Sequence, residues 1–396
     1  MADANKTKLA WAPETTFNTD PGNGATFTEV RMKSESFKAD LSVASSDEIR
    51  SYRDIPSLNL TDRAVSGGID ANLSYDSFDA FFVSALGSSG WSTSNSFFAS
   101  GGGNVVVDQS EKKYTHASGW ANNATAGGWV YLAGFANADS NGFKKVVSCS
   151  STVLVVEEAI GADETASSGH SGLNLSYIKN TDPSGSTPDS FTFQRSYTDL
   201  SSKCARYTGC VFNGFSIEAG TNATIGINFD IMGAVEVSSS SVHTVDTAAN
   251  TNTEMTSQDH VQEIRENAVA YSATGFSLNV TNNMRSQYKL GTLGADAIKM
   301  GDFEVTGSIQ AYFADSTTYD KFLNQTQTSL SLIVSDETTT QGNAYIIDLP
   351  AVKFTDGQRV AGGRNQDIIA DLSFQAFYDS TASELCSMKI VKVPSA

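Results

Sequence analysis

The stretch from Val65 to Leu73 reads VSGGIDANL, and that from Val305 to Phe313 reads VTGSIQAYF. In both, apolar and polar residues alternate, as in a strand with one buried face. Each is followed by a short run with helical spacing. In FDAFFVSAL the apolar residues are Phe78, Phe81, Phe82, Ala85 and Leu86; in YDKFLNQT they are Tyr319, Phe322 and Leu323. Positions i, i+3 and i+4 share one helix face, so Phe78, Phe81, Phe82, Tyr319, Phe322 and Leu323 are expected to anchor two short helices on a core. Asp79 and Asp320 fall in matching first turns, where negative charge suits the helix dipole.

The correspondence continues in order. SFKADLSV from Ser36 parallels GFSLNVTN from Gly275, and SFTFQRSYTD from Ser190 parallels SLSLIVSD from Ser329. ARYTGCVFNGFSI (205–217) parallels NAYIIDLPAVKFT (343–355), and ATIGINFDIMGA from Ala223 parallels DIIADLSFQAFYD from Asp367. Five segments in one order imply a duplicated domain. The copies differ in spacing, and the excess in the first is an insertion at about Trp91–Asp189. Its edges carry turn chemistry, Gly101-Gly102-Gly103 on one side and DPSGSTPD from Asp182 on the other. Inside it, TAGGWVYLAGF, GFKKVVSCS and STVLVVEEA read as short strands of a small antiparallel barrel or sandwich on the outer surface. The expected division is 1–90 with 190–235, an inserted module at 91–189, a linker at 236–256, and a second copy at 257–396. The run SQDHVQEIREN from Ser257 reads as a helix turn or an ordered arm reaching a neighbour.

Composition agrees with strands and turns. The chain has 396 residues, 22 Phe and 13 Tyr, but only 18% charged residues. Its net charge of −18 leaves no overall positive footprint for gripping phosphates. The acidity suits solubility, and also a wall past which a polyanion moves without sticking. Cys149, Cys204, Cys210 and Cys386 form no CxxC, so free thiols in a reducing cytoplasm are expected. MADANKTKLAWAPETTF has no apolar core, so no signal peptide is expected, and no apolar run approaches the ~18 residues of a membrane helix.

Catalytic patterns are missing. His116, His170, His243 and His260 lie in no triad-like setting, and no GxSxG, HExxH, Walker or EF-hand pattern occurs. His116 reads as a loop or strand residue and His260 as a helix-surface residue. GFANADSNGF from Gly134 lacks the acidic ligands of a calcium loop and reads as a turn. Glu157-Glu158 reads as a solvated strand end. No enzyme activity, cofactor or metal is expected.

The set WAPETTF, FTEVRMKSESF, SSDEIRSYR, VSGGIDANLSYDSFDAFFVSAL and VKFTDGQRVAGGRNQDIIADLSFQAFYD resembles the tail tube proteins of long-tailed bacteriophages, over essentially the whole chain. The resemblance implies a mainly β fold: two tandem β-sandwich or half-barrel domains, each with one flanking helix, plus the inserted module. It also implies self-assembly into stacked rings forming a hollow tube through which double-stranded DNA leaves the capsid without specific binding. Two copies per chain imply a ring of three chains with pseudo-sixfold symmetry, rather than six. The implied partners are the tape-measure protein, the tail terminator and the distal tail or baseplate proteins, with no membrane. The implied location is the virion, after synthesis in the bacterial cytoplasm. Candidates for lumen or inter-ring contacts are Asp47, Glu48 and Arg50 in the hairpin-like stretch Lys33–Arg63, and Asn282 and Arg285 in Gly275–Glu304; which strand face turns to the lumen is left open. The competing reading is a surface-binding β-module, an adhesin or virion decoration protein recognising glycans. An adhesin array would repeat its exposed module, whereas here the core repeats and the module occurs once.

Overall fold

The computed structural model describes residues 3–98, 103–180, 188–200, 203–312, 317–337, 342–360, 367–381 and 384–394. Gly101, Gly102, Asp182–Thr187, Phe313 and Ala361–Gln366, which figure in the sequence motifs, lie outside the described residues.

The chain is mainly β, with two short α-helices among the described residues, α1 (Asp79–Ala85) and α2 (Thr317–Leu323). The first repeat begins with the hairpin Lys38–Ser45/Leu58–Asn72. Leu58–Asn72 pairs with Gly226–Gly233, which pairs with Cys204–Gly220; that strand continues to Phe191–Tyr197 and then to Thr7–Pro13. The second repeat runs Ala273–Thr281, Glu304–Tyr312, Ile369–Ala376, Ala344–Val360, Thr328–Ser335 and Val261–Glu266. Both series are antiparallel and have the same order. Even the irregularities coincide: Cys204–Gly220 shifts register between Phe212 and Gly214, and Ala344–Val360 shifts between Phe354 and Asp356. A bulge bends a strand and increases its twist. Here it lets one long strand serve two layers, its first half in one and its second half in the other.

The ladders correct the sequence alignment. Ala205 corresponds to Ile347, not to Asn343, because each sits opposite the equivalent residue of its neighbour, Arg195 and Leu332. The slip arose because alternating patterns match themselves at every second residue. Likewise the run from Ser257 is not helical. Val261–Glu266 is a strand, and His260 lies in the turn before it, with Nδ1 accepting from the Thr256 N–H at 2.9 Å.

Aromatic side chains fill the space between the layers. Phe81 of α1 meets Phe212 at a ring separation of 4.6 Å and Phe229 at 5.3 Å, and Trp11 closes over it at 5.3 Å. Phe78 and Phe82 are also buried, and with Phe81, Phe212 and Phe229 they belong to one core spanning both repeats, against which Trp11 packs. On α2, Tyr319 and Phe322 are half-buried against the same core. Leu323 departs from expectation: it is 59% exposed. The helices differ because α1 is covered on a second side by the other repeat. Tyr345 packs on Phe82 at 5.8 Å and donates to the Asp79 carboxylate, while Lys392 pairs with Asp76 at 2.7 Å and with Asp79. Among the described residues nothing equivalent covers Leu323.

The stretch 236–256, a linker by composition, is fastened to the first repeat. Val235–Ser239 pairs with Cys204–Thr208, and Val245–Thr247 runs parallel to Phe27–Thr28. Gln194 exchanges hydrogen bonds with the His243 backbone at 2.8 and 3.0 Å, so polar side chains replace the apolar contacts the segment lacks. Met255 is buried, and Glu254 receives Asn72 at 2.6 Å and Arg31 at 2.8 Å. Those side-chain hydrogen bonds, Asn72 first, hold the Glu254 carboxyl below its ordinary value of 4.5. A depressed carboxyl stabilises the fold above the unfolded value and loses that effect as pH falls through the folded one. Cleavage of 248–256 by an acid-active protease is therefore expected to accelerate below pH 4.5, and less so in Glu254→Gln, whose side chain does not titrate.

Residues Asn95–Asn174 contain a separate sheet of eight antiparallel strands around Phe97, Tyr114, Leu132 and Leu154. This module docks on the outer strands of the second repeat, where Trp129, Leu175, Ile333, Ile346, Val391 and Val393 form an apolar contact. Charges are buried beside it. Lys145 lies 3.1 Å from Asp348 and 3.3 Å from Glu384, Glu384 also binds Lys389, and Arg265 lies 2.8 Å from Glu158. Glu158 is therefore not a solvated strand end but a buried ion-pair partner, its carboxyl raised by burial against the opposing pull of Arg265. The four cysteines are free thiols, three of them buried. His116 ends the strand Lys113–His116.

Candidate functional site

The two repeats meet in a strand joint. Beyond its bulge, the second half of Cys204–Gly220 pairs on one edge with Gly226–Gly233 and on the other with Ala273–Thr281 of the second repeat. The joint register runs from Gly214 opposite Thr281 to Gly220 opposite Gly275. Eight strand segments thus form one continuous antiparallel sheet: Lys38–Ser45, Leu58–Asn72, Gly226–Gly233, Gly214–Gly220, Ala273–Thr281, Glu304–Tyr312, Ile369–Ala376 and Asp356–Val360.

The two faces of this sheet differ, as alternation requires. One face carries Ile69, Ile227, Phe229, Phe215, Ile217, Leu278, Val280, Ile309, Leu372 and Phe374, all buried in the core. On the other, the ladder of directly opposed residues reads Asp70, Asn228, Ser216, Asn279, Thr306 and Gln375. A neighbouring ladder reads Asn72, Gly226 and Glu218, then Ser277, Ser308 and Ser373. Hydroxyls, amides and carboxylates dominate, with Asp230, Glu304, Gln310 and Asp371 adding to the same face. Ser277 and Ser308 hydroxyls bond each other at 2.9 Å, and Lys33 lies 3.5 Å from Asp70. Hydrogen bonds from Ser66, then Lys38, hold the Asp40 carboxyl below its ordinary range. Such a face is wet and acidic, with its cations at the margin and matched to carboxylates.

The candidates named from sequence are dispersed around this sheet. Asp47, Glu48 and Arg50 lie on the exposed reach between Lys38–Ser45 and Leu58–Asn72, where Arg50 pairs with Glu48. That hairpin also exposes Leu41, Val43, Ile49, Leu58 and Leu60. Arg285 is exposed on the small hairpin Arg285–Gln287/Ala297–Lys299. Asn282 is not a surface contact. It is 3% exposed, and its amide donates to the carbonyls of Ala85 at 2.8 Å and Phe212 at 3.2 Å. A buried carbonyl at a helix end needs a donor, and Asn282 supplies it. The polar ladder itself escaped the sequence reading, although its Ser, Thr, Asn, Gln and Asp recur at alternate positions; short side chains on both sides of the chain blurred the period.

No group of metal-ligating side chains occurs among the described residues, and no helix among them is long and apolar enough to cross a membrane. A search of curated proteins finds no match. The family model described as phage tail tube protein matches residues 4–376, nearly the whole chain. That family is structural rather than enzymatic, and membership implies a virion-tail component that associates with itself into a tube. With a strand-joined pair of like repeats and a match over that length, the chain belongs to the phage tail tube family.

Proposed function

We propose that three copies of this chain close head to tail into a ring of six like repeats, and that stacked rings form the bore through which double-stranded DNA passes during genome ejection. The carrying observation is the internal joint, in which one repeat's second half-strand pairs with the next repeat's hairpin, while among the described residues no strand pairs with the outer edge of Lys38–Asp40 at one end or of Asp356–Gln358 at the other. Exposed Leu323 supports the same reading, because its counterpart Phe82 is covered by the following repeat.

Unpaired strand edges template further pairing, and a closed ring removes them. Twenty-four strands spaced about 4.8 Å apart and tilted about 40° close a wall about 48 Å across between backbones, wide enough for a hydrated DNA duplex. In this arrangement the hydroxyl, amide and carboxylate face lines the bore. Phosphates find few cations there, so DNA slides without being held. Residues 1–90 with 190–235 form one ring position and 257–396 the next; the module at 91–189 sits outside. Tape-measure protein within, a terminator at the capsid end and distal tail or baseplate proteins at the tip complete the tail, all made in the host cytoplasm.

Electron microscopy of the purified chain, alone and with a tail-tip nucleator, is expected to show rings or tubes with threefold-averaged symmetry and a central hole. Monomers alone under both conditions, or rings built from any number of chains other than three, would overturn the proposal.

A further inference from the structure

The duplicated topology carries more than ring closure; it carries a register. Residues of the two repeats correspond when they face corresponding ladder partners. Lys38 faces Ser66 as Asn279 faces Thr306, so Lys38 corresponds to Asn279. Gln358 faces Asp371 as Ser216 faces Asn228, so Gln358 corresponds to Ser216. Within the chain Ser216 faces Asn279. We infer that in the ring Gln358 of one chain lies directly opposite Lys38 of the next, with Gly357 opposite Ala39, Asp356 opposite Asp40, and Arg359 opposite Phe37. This inference rests on the ring reading above.

Three features favour that edge-to-edge fit to a second copy. No strand among the described residues pairs with the outer edges of Lys38–Asp40 or Asp356–Gln358. The bulge that turns the long strand comes one residue before Asp356 in one repeat and one before Gly214 in the other, so both half-strands leave the corner at the same phase. At the free edge, the Gly357 N–H is taken by the Asp356 carboxylate at 2.8 Å. A lone strand donor is satisfied locally until a carbonyl from the neighbour replaces it. Side-chain burial agrees: Val280 is buried in the internal joint, whereas its counterpart Ala39 is exposed, as is Leu41, the counterpart of Asn282.

Charge makes the joint selective. Asp40 and Asp356 come to face each other, which is unfavourable alone. Lys38 lies 2.9 Å from Asp40 and one step from Asp356 along the ladder, so one cation serves two carboxylates across the seam. Charged residues on edge strands also deter indiscriminate pairing. The seam therefore accepts a partner edge only in the register that brings Lys38 to both acids.

The test mixes two chains, one carrying Lys38→Cys and the other Gln358→Cys, each also Cys149→Ser to remove the half-buried thiol. After assembly and mild copper-catalysed oxidation, disulfide-linked dimers are expected at least tenfold above those from Lys38→Cys mixed with Asp356→Cys, which is offset by two residues. As a second measure, Lys38→Glu is expected to reduce ring formation at least tenfold at low salt, and Asp356→Lys to restore it. Rings that cross-link best in the offset pair, or Lys38→Glu rings as abundant as wild type, would overturn this register while leaving the ring itself standing. Chains that never form rings, whatever their cysteines, would overturn the ring reading and this inference with it.

Discussion

Phe81→Asp is expected to leave no soluble folded chain. The Phe81 ring is 1% exposed and meets Trp11, Phe78, Phe191, Phe193, Phe212 and Phe229. Truncating such a ring costs about 3–5 kcal/mol, before the cost of burying a carboxyl with no partner in its place. Together these match much of the roughly 5–15 kcal/mol that holds a typical domain folded. Phe322→Asp, at the corresponding place on α2, is expected to do far less. Phe322 is half-buried, and its ring lies over Gly357, where an added Cβ would come within 3.2 Å of it. A folded but poorly assembling monomer is the expected product, since Gly357 lies on the edge proposed to pair with the next chain. Near-ultraviolet circular dichroism and the soluble fraction separate the cases: Phe81→Asp inclusion bodies beside soluble, structured Phe322→Asp. Equal collapse of both would mean that α2 is as deeply embedded as α1, contrary to the exposure of Leu323.

The same pair of helices shows what the sequence can and cannot convey. Period 3.6 marks both helices, on which Phe78, Phe81 and Phe82 are buried and Tyr319 and Phe322 half-buried, because burial against one's own sheet leaves a local pattern. Whether Leu323 is covered depends on a surface hundreds of residues away or on another chain, and no local period records that. Duplication was legible from order alone, yet its register was not: Ala205 slid from Ile347 to Asn343, since a strand's pattern repeats every two residues. Asn282 looked like a contact residue because polar residues in a loop usually are; its role follows from the Ala85 carbonyl, visible only in three dimensions. The segment around His243 looked like a linker for want of apolar residues, and is held by Gln194 and a backbone ladder that composition does not report. Glu158 follows an apolar run and so reads as a wet strand end, while its partner Arg265 lies far along the chain in the second repeat.

Lys145→Met is expected to loosen the module from the second repeat and lower stability by about 3–5 kcal/mol, the cost of breaking a buried ion pair and leaving its partner charged. The two repeats place a charge at the same point of the outer layer, with opposite sign, half-buried in the first and buried in the second. In the first it is Arg206, met by Asp20 at 2.9 Å from the N-terminal arm; in the second it is Asp348, met by Lys145 from the module and by Trp129 Nε1 at 3.1 Å. Each repeat thus has a cap selected by charge, and the module is the second repeat's cap rather than ornament. Burial alone works against the Lys145 charge, but Asp348 and Glu384 outweigh it and hold its pKa above the ordinary value. A raised lysine contributes fully below its unfolded pKa and loses that contribution only as pH rises through the folded one, so the clamp is complete at neutral pH. The Lys145→Met/Asp348→Met double variant should lose less than the sum of its single variants, because it removes both charges together. Melting temperatures and protease cleavage near residues 175–180 measure this. Losses that add, with no faster cleavage, would show that the module is held by Trp129, Leu175 and their apolar neighbours alone.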